Sequence, residues 1–156
     1  LNNNKSYNTG SGITVSKFVV GSYSIRFNAN VNYFFSSSSI NTAAATHYFT
    51  QNHSAQLSLF PVSGWEITTN GYYTWRQKLD EFDKKNVNIL WNAFVSKTLL
   101  SNRLILRWQV NDILAQNAGV SRTSSANQTT ESISNILGRY WIVSASWRWI
   151  HHRDGK

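Results

Sequence analysis

Cysteine and methionine are absent from the 156 residues, and proline occurs once, at Pro61. Without thiols there is neither a disulfide framework nor a thiolate metal site, which leaves the redox compartment open. Methionine is missing even at position 1, so a processed or excised chain is expected, and no signal peptide is visible. No apolar run approaches the roughly 18 to 20 residues that a membrane-spanning helix needs, which excludes a helical membrane protein. Charge is scarce too, at 14% of residues against about 25% in ordinary globular chains. The net charge of +8 raises nucleic acid as a partner, but Lys84–Lys85 is the only adjacent basic pair. With no basic stripe to follow a phosphate backbone, nucleic acid is not expected.

What is present is aromatic and alternating. The chain holds seven Trp, seven Tyr and eight Phe. In "GRYWIVSASWRWI" (138–150), Trp141, Val143, Ala145, Trp147 and Trp149 take the odd positions, with Ser144, Ser146 and Arg148 between them. In "SIRFNANVNYF", Ile25, Phe27, Ala29, Val31, Tyr33 and Phe35 oppose Arg26, Asn28, Asn30 and Asn32. Trp65, Ile67, Tyr73 and Trp75 oppose Glu66, Thr68, Asn70, Thr74 and Arg76. Val87, Ile89, Trp91, Ala93 and Val95 oppose Asn88, Asn92 and Ser96, while Leu104, Leu106, Trp108 and Val110 oppose Arg107, Gln109 and Asn111. A period of two is a strand with one apolar and one polar face. With weaker segments at 12–20 and 52–60, strands are expected near 12–20, 23–35, 52–60, 65–77, 87–99, 104–114 and 138–150. Residues 79–100 also read as an amphipathic helix through Leu79, Phe82, Ile89 and Leu90, but from residue 87 the period is two, which favours a charged loop and then a strand.

The connections sort by length. Short ones fall at 21–22, 61–64 and 100–102; long ones, rich in Ser, Thr, Asn and Ala, fall near 36–51, 78–86 and 115–137. Short turns at one end and long loops at the other are the pattern of outer-membrane β-barrels. Trp65 and Trp75 lie ten positions apart, roughly 23 Å in depth on a strand tilted near 45°, close to the ~25 Å apolar band between aromatic girdles. The odd-face tryptophans Trp65, Trp75, Trp141, Trp147 and Trp149 are therefore expected at lipid interfaces. A lipocalin-like barrel or sandwich also alternates, but its outward face normally carries many Lys, Glu and Asp. Here the polar face is Asn, Ser, Thr and Gln with an occasional Arg, which suits a water-filled lumen. The expected fold is all-β: an antiparallel up-and-down transmembrane barrel, about seven strands of it within one segment, 1–156.

Three stretches carry a resemblance. "LWNA" at Leu90 to Ala93, "DILAQN" at Asp112 to Asn117 and "LGRY" at Leu137 to Tyr140, with the "FPVSGWEI" turn at 60–67, resemble the C-terminal end of TonB-dependent-receptor-like outer-membrane barrels. The pattern departs at Ala115, where Asn is commoner, and at Trp141, where Phe is. The resemblance implies the last third of a barrel of about 22 strands, with an N-terminal plug that this segment lacks. It also implies a structural role for Asp112 at the strand's extracellular end, with Gln116, Asn117, Gly138, Arg139 and Tyr140 completing the motifs. The implied partners are outer-membrane lipid, further barrel strands and a plug from the same or another chain, TonB-type energy coupling and a surface lipoprotein.

No enzyme motif is visible. His151 and His152 read as a solvated tail, and His47 and His53 as loop residues rather than metal ligands. Asp80, Glu81 and Asp83 lack calcium-loop spacing. No nucleophile elbow or phosphate loop is present, and no cofactor is expected. The lumen-facing candidates are Arg26, Asn28, Asn30, Asn32, Arg76, Arg107, Gln109, Asn111, Ser144, Ser146 and Arg148, with the arginines positioned for an anionic solute or for plug carboxylates. The expected function is the C-terminal wall of an outer-membrane TonB-dependent receptor or transporter. The alternatives are a small complete barrel that binds, adheres or scaffolds, its eighth strand drawn from residues 1–10, and a soluble lipocalin-like binder.

Overall fold

The alternating segments pair each with its neighbour along the chain. The computed structural model describes residues 4–39, 45–78, 87–117, 119–125 and 128–149. Its strands are β1 (Asn4–Val19), β2 (Tyr23–Ser38), β3 (Thr46–Leu59), β4 (Trp65–Arg76), β5 (Val87–Leu99), β6 (Leu104–Asn111), β7 (Val120–Ser125), β8 (Gln128–Ile133) and β9 (Tyr140–Trp147). Seven of them form one antiparallel sheet in the order β1-β2-β3-β4-β5-β6-β9, and β7 and β8 form a separate hairpin. Every pair in the large sheet is antiparallel, and three of the six are joined by tight turns.

Several boundaries differ from the pattern. β1 begins at Asn4 rather than near 12, because the sixteen residues of β2 pair with it over their full length, Asn4 against Ser38. Pairing overrides the weak strand propensity of "NKSYNTGSG", so residues 4–10 belong to the first strand instead of supplying an eighth. Gly10 and Gly12 sit opposite Asn32 and Asn30, whose side-chain amides occupy the space a Cβ would need. β3 likewise starts at Thr46 rather than 52, continuing its pairing with β2, and this puts His47 and His53 on a strand rather than in a loop. β6 stops at Asn111, since Asp112 turns into the left-handed region at φ 52. The polar stretch 115–137 was expected to be loop, yet it contains the β7–β8 hairpin, closed at its base by Ser134 N–H donating to the Gly119 carbonyl. β9 covers 140–147 of the 138–150 expected. Residues 79–86, with Asp80, Glu81 and Asp83, and the 150–156 tail, with His151 and His152, lie outside the described residues.

Three tight turns gather at one end of the sheet. Gly21 (φ 68) and Gly64 (φ 76) take backbone conformations that favour glycine, and Leu100, Ser101 and Asn102 are also left-handed. The turns are tied to neighbouring strands: Phe60 N–H donates to Ser22 O at 2.8 Å, and Thr98 N–H to Gly64 O at 2.7 Å. The long connections leave from the opposite end.

The sheet has no apolar core. Among the described residues the only buried hydrophobic side chain is Tyr48, while Ser36, Ser38, Ser58, Thr68, Ser96 and Asp112 are buried. Ile25, Phe27, Val31, Ile67, Trp91, Leu106, Trp108 and Val143 are exposed. That is the reverse of a soluble domain.

Candidate functional site

The register assembles the polar positions into rows across the sheet. Thr14, Asn28, Ser54 and Tyr72 stand side by side on β1 to β4. Within that row the Thr14 hydroxyl donates to Asn28 Oδ1 and Asn28 Nδ2 to Ser54 Oγ, both at 2.9 Å. Nearer the short turns, Ser58, Thr68, Phe94, Gln109 and Ile142 form another row on β3 to β6 and β9. Thr68, 2% exposed, donates to Ser58 Oγ at 2.8 Å, and Glu66 Oε1 lies 3.2 Å from the same hydroxyl. Ser96 Oγ donates to Glu66 Oε2 at 3.4 Å, and Gln56 Nε2 to Ser58 Oγ at 3.4 Å. These residues form a neutral hydroxyl and amide network around one carboxylate, satisfied sideways from strand to strand.

The candidate arginines do not converge. Arg26 stands opposite Gln56, Arg76 opposite Thr50, and Arg107 opposite Ser96 and Ser144. Arg76 lies over the Tyr48 ring at 4.7 Å and Arg107 over Phe94 at 4.1 Å. Arg148 lies past the end of β9, its N–H bonded to the Arg103 carbonyl at 2.8 Å. Asn30 and Asn32 rest against Gly12 and Gly10, and Gln109 Nε2 donates to Asn111 Oδ1 at 2.8 Å. Ser144 and Ser146 face Arg107 and Ile105 across the β6–β9 pair. Sequence reasoning passed over Arg103 and the Ser58–Thr68–Glu66–Ser96 network. The even positions of β3 to β5 held that signal, but only the register shows them as neighbours.

The opposite face carries most of the aromatics of the sheet, many of them towards its two margins. Tyr7 stacks on Phe35 at 4.8 Å and Tyr33 packs on Phe49 at 4.9 Å towards the long-loop end. Trp108 and Trp141 stack at 5.1 Å, and Trp147 meets Trp149 edge-on at 6.0 Å. From Phe35 on β2 to Trp75 on β4, the upper band descends four residues, since Phe35 pairs with His47 and Trp75 with Gln51. From Tyr23 to Trp65 the lower band descends two, since Tyr23 aligns through Leu59 with Ile67. One to two residues per strand, at ~3.3 Å along and ~4.8 Å between strands, corresponds to a tilt of roughly 35–55°. That range spans the ~35–45° of membrane barrels. His53 also belongs to this face, stacked on Tyr73 at 5.6 Å with its Nε2 3.3 Å from Gln51 Oε1.

The Asp112 motif is a turn lock. Asp112 Oδ1 accepts Gln116 N–H at 3.0 Å and Oδ2 accepts Asn117 N–H at 3.2 Å, while Asn92 Oδ1 accepts the Asp112 N–H at 2.9 Å. A buried carboxylate thereby supplies acceptors for N–H groups that the end of β6 leaves unpaired. Gln116 and Asn117 contribute these donors through the backbone. Gly138 and Arg139 lead into β9, which Tyr140 begins opposite Asn111.

Compared with known protein families, residues 1–147 match the model of an outer membrane protein β-barrel family. No curated protein and no solved structure matches the chain.

Proposed function

We propose a function on the premise that this chain belongs to the outer membrane protein β-barrel family and lies in the bacterial outer membrane. It forms the C-terminal wall of a TonB-dependent receptor or transporter barrel. The observation that carries this reading is a sheet whose buried side chains, Ser36, Ser38, Ser58, Thr68 and Ser96 among them, lie on the polar face while the apolar face is exposed or half-buried, and whose two edges are unpaired among the described residues. Among the described residues, no strand pairs with the outer edge of β1 or of β9. In lipid, each unsatisfied backbone group on such an edge costs several kcal/mol, so the sixteen residues of β1 call for further strands. A barrel of about 22 strands encloses a lumen wide enough to need a plug. The hydroxyl and amide rows then line its interior, energy coupling acts through the plug, and a lipoprotein lid covers the long-loop end. No step requires catalysis or a cofactor.

The test is the intact mass of the native polypeptide from outer membranes, with solute accumulation in cells with and without the gene. A mass several times 17.8 kDa, and accumulation that a protonophore abolishes, support the reading. A mass near 17.8 kDa with no partner strands cross-linked to β1, or accumulation indifferent to the gene, overturns it.

A further inference from the structure

We propose that Lys97 and Trp65, at the short-turn margin of the apolar face, bind the phosphate of one membrane glycerophospholipid and hold that lipid against the β3–β4 turn. The inference rests on the apolar face meeting lipid and is independent of the transporter reading. Lys97 pairs with Trp65 across β4 and β5, on the face that carries Ile67, Val95 and Leu106. Its aliphatic stem lies among apolar side chains, while its ammonium reaches the level at which the strands end. There the ammonium is fixed in place. It donates to the Ser63 carbonyl at 3.1 Å and stands 5.0 Å from the centre of the Trp65 ring. The turn that supplies this carbonyl is itself held. Trp65 N–H donates to the Val62 carbonyl at 2.9 Å, and Thr98 N–H to the Gly64 carbonyl at 2.7 Å. A Cβ on Gly64 would lie 2.7 Å from the Thr98 carbonyl oxygen, so turn and strand interlock. A site organised in advance in this way loses little freedom on binding.

What this ammonium lacks is a counter-ion. A lysine ammonium has three donors, and the Ser63 carbonyl takes one. Among the described residues of the apolar face there is no Asp or Glu. Glu66 follows Trp65 in the chain but lies on the polar face, where Thr68 and Ser96 donate to it. The indole of Trp65, 41% exposed, adds a donor N–H beside the ammonium. At the depth of interfacial aromatics the abundant anion is the lipid phosphate, which attracts lysine. The surroundings favour a lipid over free phosphate. A cleft of about 410 Å³ lies between the turns at 21–22 and 61–64, a size typical of small-molecule sites. Ser63 and Trp65, the two partners of the ammonium, line it together with Phe18, Phe60, Val62 and Thr98. Phe18 and Val62 are exposed. The glycerol esters and first acyl carbons of a phospholipid cover these side chains, whereas inorganic phosphate leaves them in water.

The experiment uses the full-length protein, extracted from its own outer membranes into uncharged maltoside micelles. A trace of phosphatidylglycerol carrying a diazirine near its glycerol is added, and the labelled residues are mapped by mass spectrometry after illumination. The label is expected within residues 60–65 and 96–98. Lys97→Gln lowers labelling there about ten-fold and Lys97→Arg retains most of it, while Lys5→Gln, at the opposite margin, leaves it unchanged. If Lys97→Gln does not assemble, competition on the unaltered protein decides. Excess unlabelled phosphatidylglycerol displaces the probe, whereas diacylglycerol and inorganic phosphate do not. Label spread evenly around the margin, labelling indifferent to Lys97→Gln, or displacement by diacylglycerol overturns the proposal. Displacement by inorganic phosphate alone overturns it too, in favour of a free-anion site. Quenching of tryptophan emission in vesicles of acyl-brominated lipid separates the two failures: quenching without the label refutes the phosphate site alone, and no quenching refutes the lipid-facing assignment on which it rests.

Discussion

Ala55 is the position at which the two possible environments of the apolar face make opposite demands. It lies on β3 between Phe27 and Gly71, and a Cβ built on Gly71 would meet nothing within 4 Å, so this patch has room outwards. Phe49 stands six residues away towards the long-loop end and Leu59, in the row of Tyr23, four residues towards the turns. At ~3.3 Å per residue and a tilt near 45°, these levels lie about 14 and 9 Å away, which puts Ala55 in the central part of a ~25 Å band. Ala55→Arg is expected to cost about 2–4 kcal/mol, and Leu59→Arg at the margin about 0–1. Asn52→Arg, on the polar face of the same strand, stays within about 0.5 kcal/mol. Ala55→Leu decides the matter by sign. Facing lipid, the added methylenes are neutral or favourable by up to about 2 kcal/mol, whereas in a packed protein core they cost about 1–3. Urea unfolding of the protein in vesicles, followed by tryptophan emission, reads all four. A destabilising Ala55→Leu, or equal costs for arginine at 55 and 59, refutes the assignment of this face to lipid.

Three further outcomes follow from local geometry. Asp112→Ala strands the N–H groups of Gln116 and Asn117 and is expected to cost about 1–3 kcal/mol, with faster amide exchange at both; unchanged protection there refutes the turn lock. Thr68→Val removes the hydroxyl between Ser58 and Glu66 and is expected to cost about 1 kcal/mol in urea unfolding, with Thr68→Ser restoring most of it. Gly12→Ala drives a Cβ into the Asn30 amide, and a loss of about 1–3 kcal/mol with raised exchange along β1 is expected; Gly12→Ala with Asn30→Gly recovers it, and an unaffected single variant contradicts the packing.

The parts of this fold that alternation marks were legible, because alternation is itself the physical requirement. β2, β4 and β5 announce themselves through "FNANVNYF", "WEI…YYTW" and "VNILW", where each apolar residue must share a face with the next. β1 hid its first half because "NKSYNTGSG" earns its conformation from the partner strand, which no local window sees. The β7–β8 hairpin was hidden for a related reason: a stretch of Ser, Thr and Asn is compatible with loop or strand, and pairing decides. The site was less legible than the fold. Arg26, Arg76, Arg107 and Arg148 look equivalent along the chain, and only the register separates them and brings Arg103 beside Arg148.

The scarcity of charge and its placement have one cause. On the apolar face of the seven-stranded sheet, the Lys and Arg positions are Lys5, Lys17 and Lys97, and no Asp or Glu occurs there. Lys5 pairs with Ser37, beyond the level of Tyr7 and Phe35. Lys17 reaches to 5.8 Å above the Tyr23 ring, and Lys97 lies 5.0 Å from Trp65 with its ammonium donating to the Ser63 carbonyl at 3.1 Å. All three therefore sit at the ends of strands, and two hold their ammonium groups over an interface aromatic, as long basic side chains do when their stems lie in hydrocarbon. The polar residues of the stretch between these ends, such as Gln51, His53 and Thr69, include no acid, lysine or arginine and are paired with Tyr73, Trp91 or one another. A face packed on a protein core would exclude lysine from strand ends no less than from their middles. Lysine admitted at the two margins and excluded between them is a depth profile, and depth is a property of a bilayer.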